Sequence, residues 1–210
     1  MKRLFTGIVL IAAVFLAASA KAQTADDGFR LSTTTVFAKA HEKTLPPMGF
    51  IDFCRRNPGS CAVQRSSGSR VELNPARLSE LIAVNDRVNG SITPATDQEI
   101  YGVEEYWTMS SNRGDCEDYV LLKQHYLQNL GWPRSSLLIT VVIDERGDGH
   151  AVLTVKTTGG DLILDNQNPD VLDWTETPYQ YVKRQSSRDP KIWEALDVPA
   201  HTATSGLPAK

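Results

Sequence analysis

Cys116, His150 and Asp165 are the residues of this 210-residue sequence whose types and spacing can perform nucleophilic chemistry. A thiol attacks a carbonyl as its thiolate, and the unpaired N–H groups and dipole of a helix N-terminus favour that negative charge. An imidazole must accept the thiol proton and return it to the leaving group, and a carboxylate must fix the imidazole's tautomer and orientation. Cys116 stands in Gly114-Asp115-Cys116-Glu117-Asp118-Tyr119, at the head of a helical stripe of Tyr119, Leu122, Tyr126, Leu127 and Leu130. Gly131-Trp132-Pro133 stops that amphipathic helix. His150 opens a strand to Lys156, which turns at Thr157-Thr158-Gly159-Gly160 and returns as Leu162 to Asp165. The hairpin, whose turn leaves room for a bulge, puts His150 and Asp165 at the same open end. Each residue alone has an ordinary reading: a buried thiol, a surface imidazole, a turn cap. Their meeting at matching element ends favours catalysis. His41, His125 and His201 lack such a setting, since His125 falls in mid-helix and His201 in the C-terminal tail. For the oxyanion, the donors are the backbone N–H of Cys116 and, more weakly, the indole N–H of Trp107.

The surrounding pattern shows what must hold these groups. Asn74-Pro75 starts a helix, with Leu78, Leu81, Ile82, Asn85 and Val88 at helical spacing, ended by Asn89-Gly90. From Thr93 to Met109 the chain reads as loop with short helical turns, its Tyr101, Tyr106 and Trp107 flanking a cleft. Leu137 to Ile143 is a strand, and the polar stretch Asp144 to Gly149 is a loop. Residues 23 to about 45 form an extended lead-in, the chain through Trp174, Tyr181 and Trp193 packs across the sheet, and residues 197–210 are a flexible tail. The fold class is α+β, with N-terminal helices and the catalytic helix packed on an antiparallel sheet.

Met1-Lys2-Arg3, the apolar run from Leu4 to Ala18 and Ala20-Lys21-Ala22 have the order of a cleaved secretory signal, so residues 1–22 are expected to leave and residues 23–196 to form one periplasmic domain. Cleavage removes three of the 22 basic residues and no acid, leaving 19 against 25 and a net charge of −6, without the basic stripe that nucleic acid selects. An exported protein meets oxidising conditions. Of the three cysteines, Cys54 and Cys61 flank the turn signal Asn57-Pro58-Gly59 and are read as a disulfide, which leaves Cys116 as the free thiol.

The blocks Gly114 to Tyr119, Gly149-His150-Ala151-Val152-Leu153 and Ile163-Leu164-Asp165-Asn166, with Asn85 to Asn89 and Tyr106-Trp107 upstream, resemble the bacterial transglutaminase-like cysteine peptidases. The resemblance implies a papain/transglutaminase-like fold, with Cys116 as nucleophile, His150 as acid/base and Asp165 as orienting carboxylate. It further implies a periplasmic protease, with a large surface adhesin as substrate and an inner-membrane receptor responsive to cyclic di-GMP as regulator. Acyl transfer to an amine uses the same triad, and a noncatalytic binding module could keep the fold; no HExxH or paired His/Cys spacing supports a metalloenzyme. The acids Asp115, Glu117 and Asp118 read as caps, with Asp115 accepting a backbone N–H, Asp118 reaching back three residues and Glu117 solvated. Their spacing is not that of an EF-hand loop. The resemblance implies calcium beside the cysteine instead, with Asp115 and Asp118 as first ligands, Glu117 after them, and carbonyls near Gly131 to Ser136 completing the shell.

Overall fold

A computed structural model describes residues 37–63, 70–110 and 112–196. The signal segment, residues 23–36, the tail and His201 lie outside the described residues. The elements are β1 (Ala40–Thr44), α1 (Met48–Arg56), α2 (Pro75–Ser91), β2 (Thr93–Pro94), α3 (Asp97–Tyr101), β3 (Arg113–Gly114), α4 (Cys116–Asn129), β4 (Leu137–Ile143), β5 (Gly149–Thr157), β6 (Gly160–Leu164), β7 (Leu172–Asp173), β8 (Gln180–Gln185) and β9 (Trp193–Leu196). Seven strands form one sheet in the order β1-β9-β8-β4-β5-β6-β7, all neighbours antiparallel. The fold is α+β, as the pattern of elements implied.

Pleat alternation divides the sheet's side chains between two cores. Leu137 and Ile139 of β4, Ala151, Leu153 and Val155 of β5, and Leu162 and Leu164 of β6 join the helices in one cluster. Val142, Val152 and Ile163 meet Trp174, Tyr179 and Tyr181 in the other. Helix α4 lies on β5 and β4, with α2 packed against it. That position changes the reading of α4. Residues 117–124 are buried without interruption, polar Glu117, Asp118, Lys123 and Gln124 among them, whereas Leu130 is exposed. An amphipathic stripe therefore does not describe it: with sheet on one side and helix on another, nearly every face is covered.

Three further expectations are corrected. In α2 the Asn74 side chain caps Arg77 N at 2.9 Å as Pro75 opens the helix, but Ile82 faces outward and Val84 inward: the buried face runs Leu81, Val84, Asn85 and Val88, and Asn85 Nδ2 donates to Pro169 O at 2.8 Å. The helix also runs through Asn89-Gly90 to Ser91. Tyr181 and Trp193 do not pack across the sheet but extend it, in strands beyond β4. The extended lead-in, by contrast, ends as expected in extended form, as the edge strand β1, with Ala40 opposite Leu196 and Thr44 opposite Trp193.

Lys123 is fully buried, its Nζ lacks a hydrogen-bond partner among the described residues, and it lies 6.0 Å from the Tyr119 ring centroid. Burial pushes its pKa down to about 7, against the pull of Asp165. An unfolded lysine holds its proton to about pH 10.4, so between that value and about 7 the unfolded chain binds more protons and stability rises with pH. Lys123→Met is expected to raise the melting temperature at pH 7, by about 1–3 kcal/mol of stability, and to flatten the rise toward pH 9. Thermal denaturation at the two pH values checks both; an unchanged slope would remove Lys123 as its source.

Candidate active site

The site lies at one end of β5 and β6, where α4 begins. The two strands pair Leu153 with Leu164 and Thr157 with Gly160, so Asp165 stands one residue past the ladder and His150 is carried by the far end of β5. There His150 Nε2 and Asp165 Oδ1 are 2.8 Å apart, both side chains 2% exposed. Asp165 Oδ1 also accepts the Gln167 N–H at 2.9 Å, Oδ2 accepts the Tyr179 hydroxyl, and the Asp165 carbonyl accepts from Asn89 Nδ2 at 2.8 Å. Burial alone would raise the Asp165 carboxyl, but the His150 hydrogen bond and charge, then Tyr179 and Gln167, hold it below the usual carboxylate range. With Nε2–H directed at Asp165, the bare Nδ1 faces the Gln167 amide at 3.3 Å and is the nitrogen left to take a proton.

Cys116 is the first residue of α4, so its backbone N–H has no partner within the helix. Cys116 and His150 line two adjoining cavities. One is a cleft of about 500 Å³ walled by Thr96, Glu105, Asp144 and Gln167, and the other a chamber of about 190 Å³ walled by Pro47, Trp107, Val141 and Lys183. Of the other histidines within the described residues, His125 contacts Asn129 Nδ2 at 3.0 Å within α4, and His41 lies in the edge strand β1.

The thiol itself departs from expectation. Burial raises its pKa well above the usual thiol value, the Glu117 and Asp115 charges add to that, and the Ala151 N–H acts the other way. Glu117 Oε2 is 3.3 Å from Cys116 Sγ. A helix N-terminus favours a thiolate by a fraction of a charge; adjacent carboxylates in a buried place outweigh it.

The acids are arranged differently from the capping reading. Asp115 makes no side-chain cap bond; its Oδ2 accepts the Asp97 N–H at 3.2 Å. Asp118 Oδ1 accepts the Thr108 N–H at 2.8 Å, and its Oδ2 is buried without a hydrogen-bond partner. Glu117 is 5% exposed rather than solvated. Asp97, Asp115 and Glu117 each bring a carboxylate oxygen within 4.8 Å of the others, a grouping that fits a metal ion. Asp97 Oδ1 and Asp115 Oδ1 are buried without a hydrogen-bond partner. Burial, then the Asp115 proton-sharing contact and charge, pushes Glu117 up to about 10; burial raises Asp97, and burial with Asp115 nearby takes Asp118 to about 7. Asp97 thus joins Asp115 and Glu117 in this grouping, while Asp118, despite its own orphaned Oδ2, lies outside it. The carbonyls near Gly131 to Ser136 cannot contribute, because the 14-residue α4 separates them from this cluster by about 20 Å.

Trp107 is also reassigned: its indole N–H donates to Glu105 Oε2 at 2.8 Å and is therefore engaged. Its ring packs edge-on to Phe50, and a Cβ on Gly49 would come within 2.3 Å of Trp107 Cδ1. Cys54 and Cys61 form the expected disulfide, Cα atoms 5.5 Å apart, which ties the end of α1 to the following 3-10 turn. Asp97, Glu105, Gln167 and Tyr179 escaped the sequence reading. For Asp97 a signal exists: Thr96 and Glu99 form a capping box, which makes Asp97 the first residue of a helix.

Among solved structures, the chain is similar to Legionella pneumophila LapG in its calcium-bound form, at 27% identity over 59% of this chain and 71% of that chain, with a TM-score of 0.49. The EGTA-treated form of the same protein gives 26% identity over 59% and 69%, with a TM-score of 0.47. Among curated proteins no significant match was found. The family model described as bacterial transglutaminase-like cysteine proteinase matches residues 40–201, a span that contains the whole sheet, α4 and all three residues of the proposed triad. The chain belongs to that family of cysteine peptidases.

Proposed function

We propose that this transglutaminase-like cysteine peptidase hydrolyses an extended polypeptide in the periplasm through Cys116, His150 and Asp165. The observation that carries the reading is the buried 2.8 Å contact between His150 and Asp165 at the wall of a cleft that Cys116 shares. In the reaction His150 Nδ1 takes the Cys116 proton as Sγ attacks the scissile carbonyl; the same proton then passes to the leaving amine, and a thioester remains. Water, deprotonated by His150, cleaves the thioester. Asp165 holds the imidazole in the Nε2–H tautomer and stabilises the imidazolium. The Cys116 backbone N–H is the oxyanion donor available at the helix start.

Asp97, Asp115 and Glu117 would hold calcium, a hard cation suited to carboxylate oxygens. It would supply positive charge that offsets the acids opposing thiolate formation. The orphaned oxygens of Asp97 and Asp115 support this assignment. Export is supported by the N-terminal signal pattern and the Cys54–Cys61 bridge. The family resemblance supplies the remaining partners, a large adhesin as substrate and a cyclic di-GMP-responsive inner-membrane receptor as regulator.

Incubating the protein with an unfolded adhesin segment and a dansylated amine separates hydrolysis from acyl transfer. The expected products are two fragments with a free carboxylate at the new C-terminus. Amine incorporation exceeding cleavage would replace hydrolysis by transfer, and no reaction with either would favour a binding module.

A further inference from the structure

We propose that Tyr179 is a positioning residue for the catalytic pair: its hydroxyl fixes the Asp165 carboxylate while its ring sets the plane of the His150 imidazole. The inference rests on the triad reading above. Asp165 Oδ1 is occupied by His150 Nε2 and the Gln167 N–H, whereas Oδ2 is held by the Tyr179 hydroxyl. Asp165 is 2% exposed, so no bulk water stands ready to replace that donor. A carboxylate held through one oxygen can turn about its Cβ–Cγ bond, and each turn moves the acceptor on which the imidazole's orientation depends. Holding the second oxygen removes that freedom. The Tyr179 ring also meets His150 edge to face, with centroids 5.6 Å apart at 67°. Tyr179 thus touches both partners of the pair.

Its own position is well fixed. Tyr179 is 5% exposed in the core on the far side of the sheet from α4, with Ile163, Trp174 and Tyr181. It precedes β8 in sequence, so it comes from a segment that supplies neither the base nor the carboxylate. The pair is thereby clamped from outside its own hairpin, and the clamp does not depend on the turn at Thr158-Gly159.

Tyr179→Phe keeps the ring and removes the hydroxyl. It is expected to lower kcat about ten- to a hundredfold at unchanged KM, by analogy with the loss when the outer hydrogen-bond partner of a metal-ligating histidine is removed. Tyr179→Leu, which loses both contacts, should fall further. In an Asp165→Asn background Tyr179→Phe should cost less than about twofold, because the carboxylate it positions is gone. A residue that merely fills the core would lower activity equally in both backgrounds. Equal losses, or full kcat in Tyr179→Phe, would overturn the proposal. Should Tyr179→Phe not fold, 4-fluorophenylalanine at position 179 nearly retains the shape and removes the donor; full kcat there would also overturn it. Cys116→Ala serves as the control for the parent reading: an active Cys116→Ala protein removes the triad and this proposal together, whereas an inactive one beside a fully active Tyr179→Phe protein removes this proposal alone.

Discussion

Cys116→Ala is expected to remove turnover, a loss of about 10⁴-fold or more, while the protein keeps its fold. Cys116 is half-buried at the first position of α4, and alanine is well tolerated there, so the change removes the nucleophile and little else. His150→Ala should lose turnover to the same extent, because no other imidazole of the described residues lines the cleft. It differs in stability: removing His150 leaves the Asp165 carboxylate buried without its main partner, and the melting temperature should fall. Asp165→Asn keeps nucleophile and base but loses the acceptor that selects the tautomer, and weak residual activity is expected. Fragment formation followed by mass spectrometry, with circular dichroism to establish folding, checks all three. A folded Cys116→Ala protein with full activity would exclude the mechanism.

The second large effect concerns the calcium proposed for Asp97, Asp115 and Glu117. With Glu117 pushed up to about 10 and Asp97 also raised, the metal-free cluster binds protons that the unfolded chain has released above about pH 4.3. Stability contributed by these groups is therefore complete below that pH and is lost as pH rises toward their folded values. EGTA should lower both the melting temperature and turnover, and the thermal penalty should grow between pH 5 and pH 8. Calcium at a hundred times its dissociation constant would restore about 2.7 kcal/mol, and magnesium, which demands a tighter octahedral shell, should restore less. Iodoacetamide should label Cys116 slowly in EGTA and faster with calcium, and should not label Cys54 or Cys61 without reductant. Asp97→Asn with Glu117→Gln should abolish the calcium response, whereas Asp118→Asn should keep it. An unchanged melting temperature and turnover in EGTA, with elemental analysis finding no metal, would leave these acids as helix-terminal hydrogen-bonding groups.

The parts of the site that were legible in the sequence are those fixed by local rules. The hairpin follows from a strand, a Gly-containing turn and a returning strand, and it brings His150 to Asp165 without further information. The Cys54–Cys61 bridge spans a short turn, and Asn74-Pro75 caps a helix by chemistry contained within four residues. The missing parts depend on contacts between segments far apart in the chain. Asp97 approaches Asp115 because α3 is set beside the start of α4, and Tyr179 reaches Asp165 because β8 is placed beyond β4. Neither approach leaves a periodic trace. The thiol's raised pKa was missed for the same reason: the helix dipole is a local property of α4, whereas the burial and acidic charge that oppose it arise from packing.

The continuous burial of residues 117–124 bears on how the enzyme can be controlled. A helix enclosed by the sheet and by α2 cannot open in a small local fluctuation, so its amides should exchange with solvent only when the whole domain unfolds. Cys116 then has no separate unfolding transition of its own. Motions that admit or exclude a substrate fall to the rim instead. There Thr96, Glu99, Glu105, Asp144, Arg146 and Gln167 line the cleft from short elements and loops, outside the buried helix that carries Cys116.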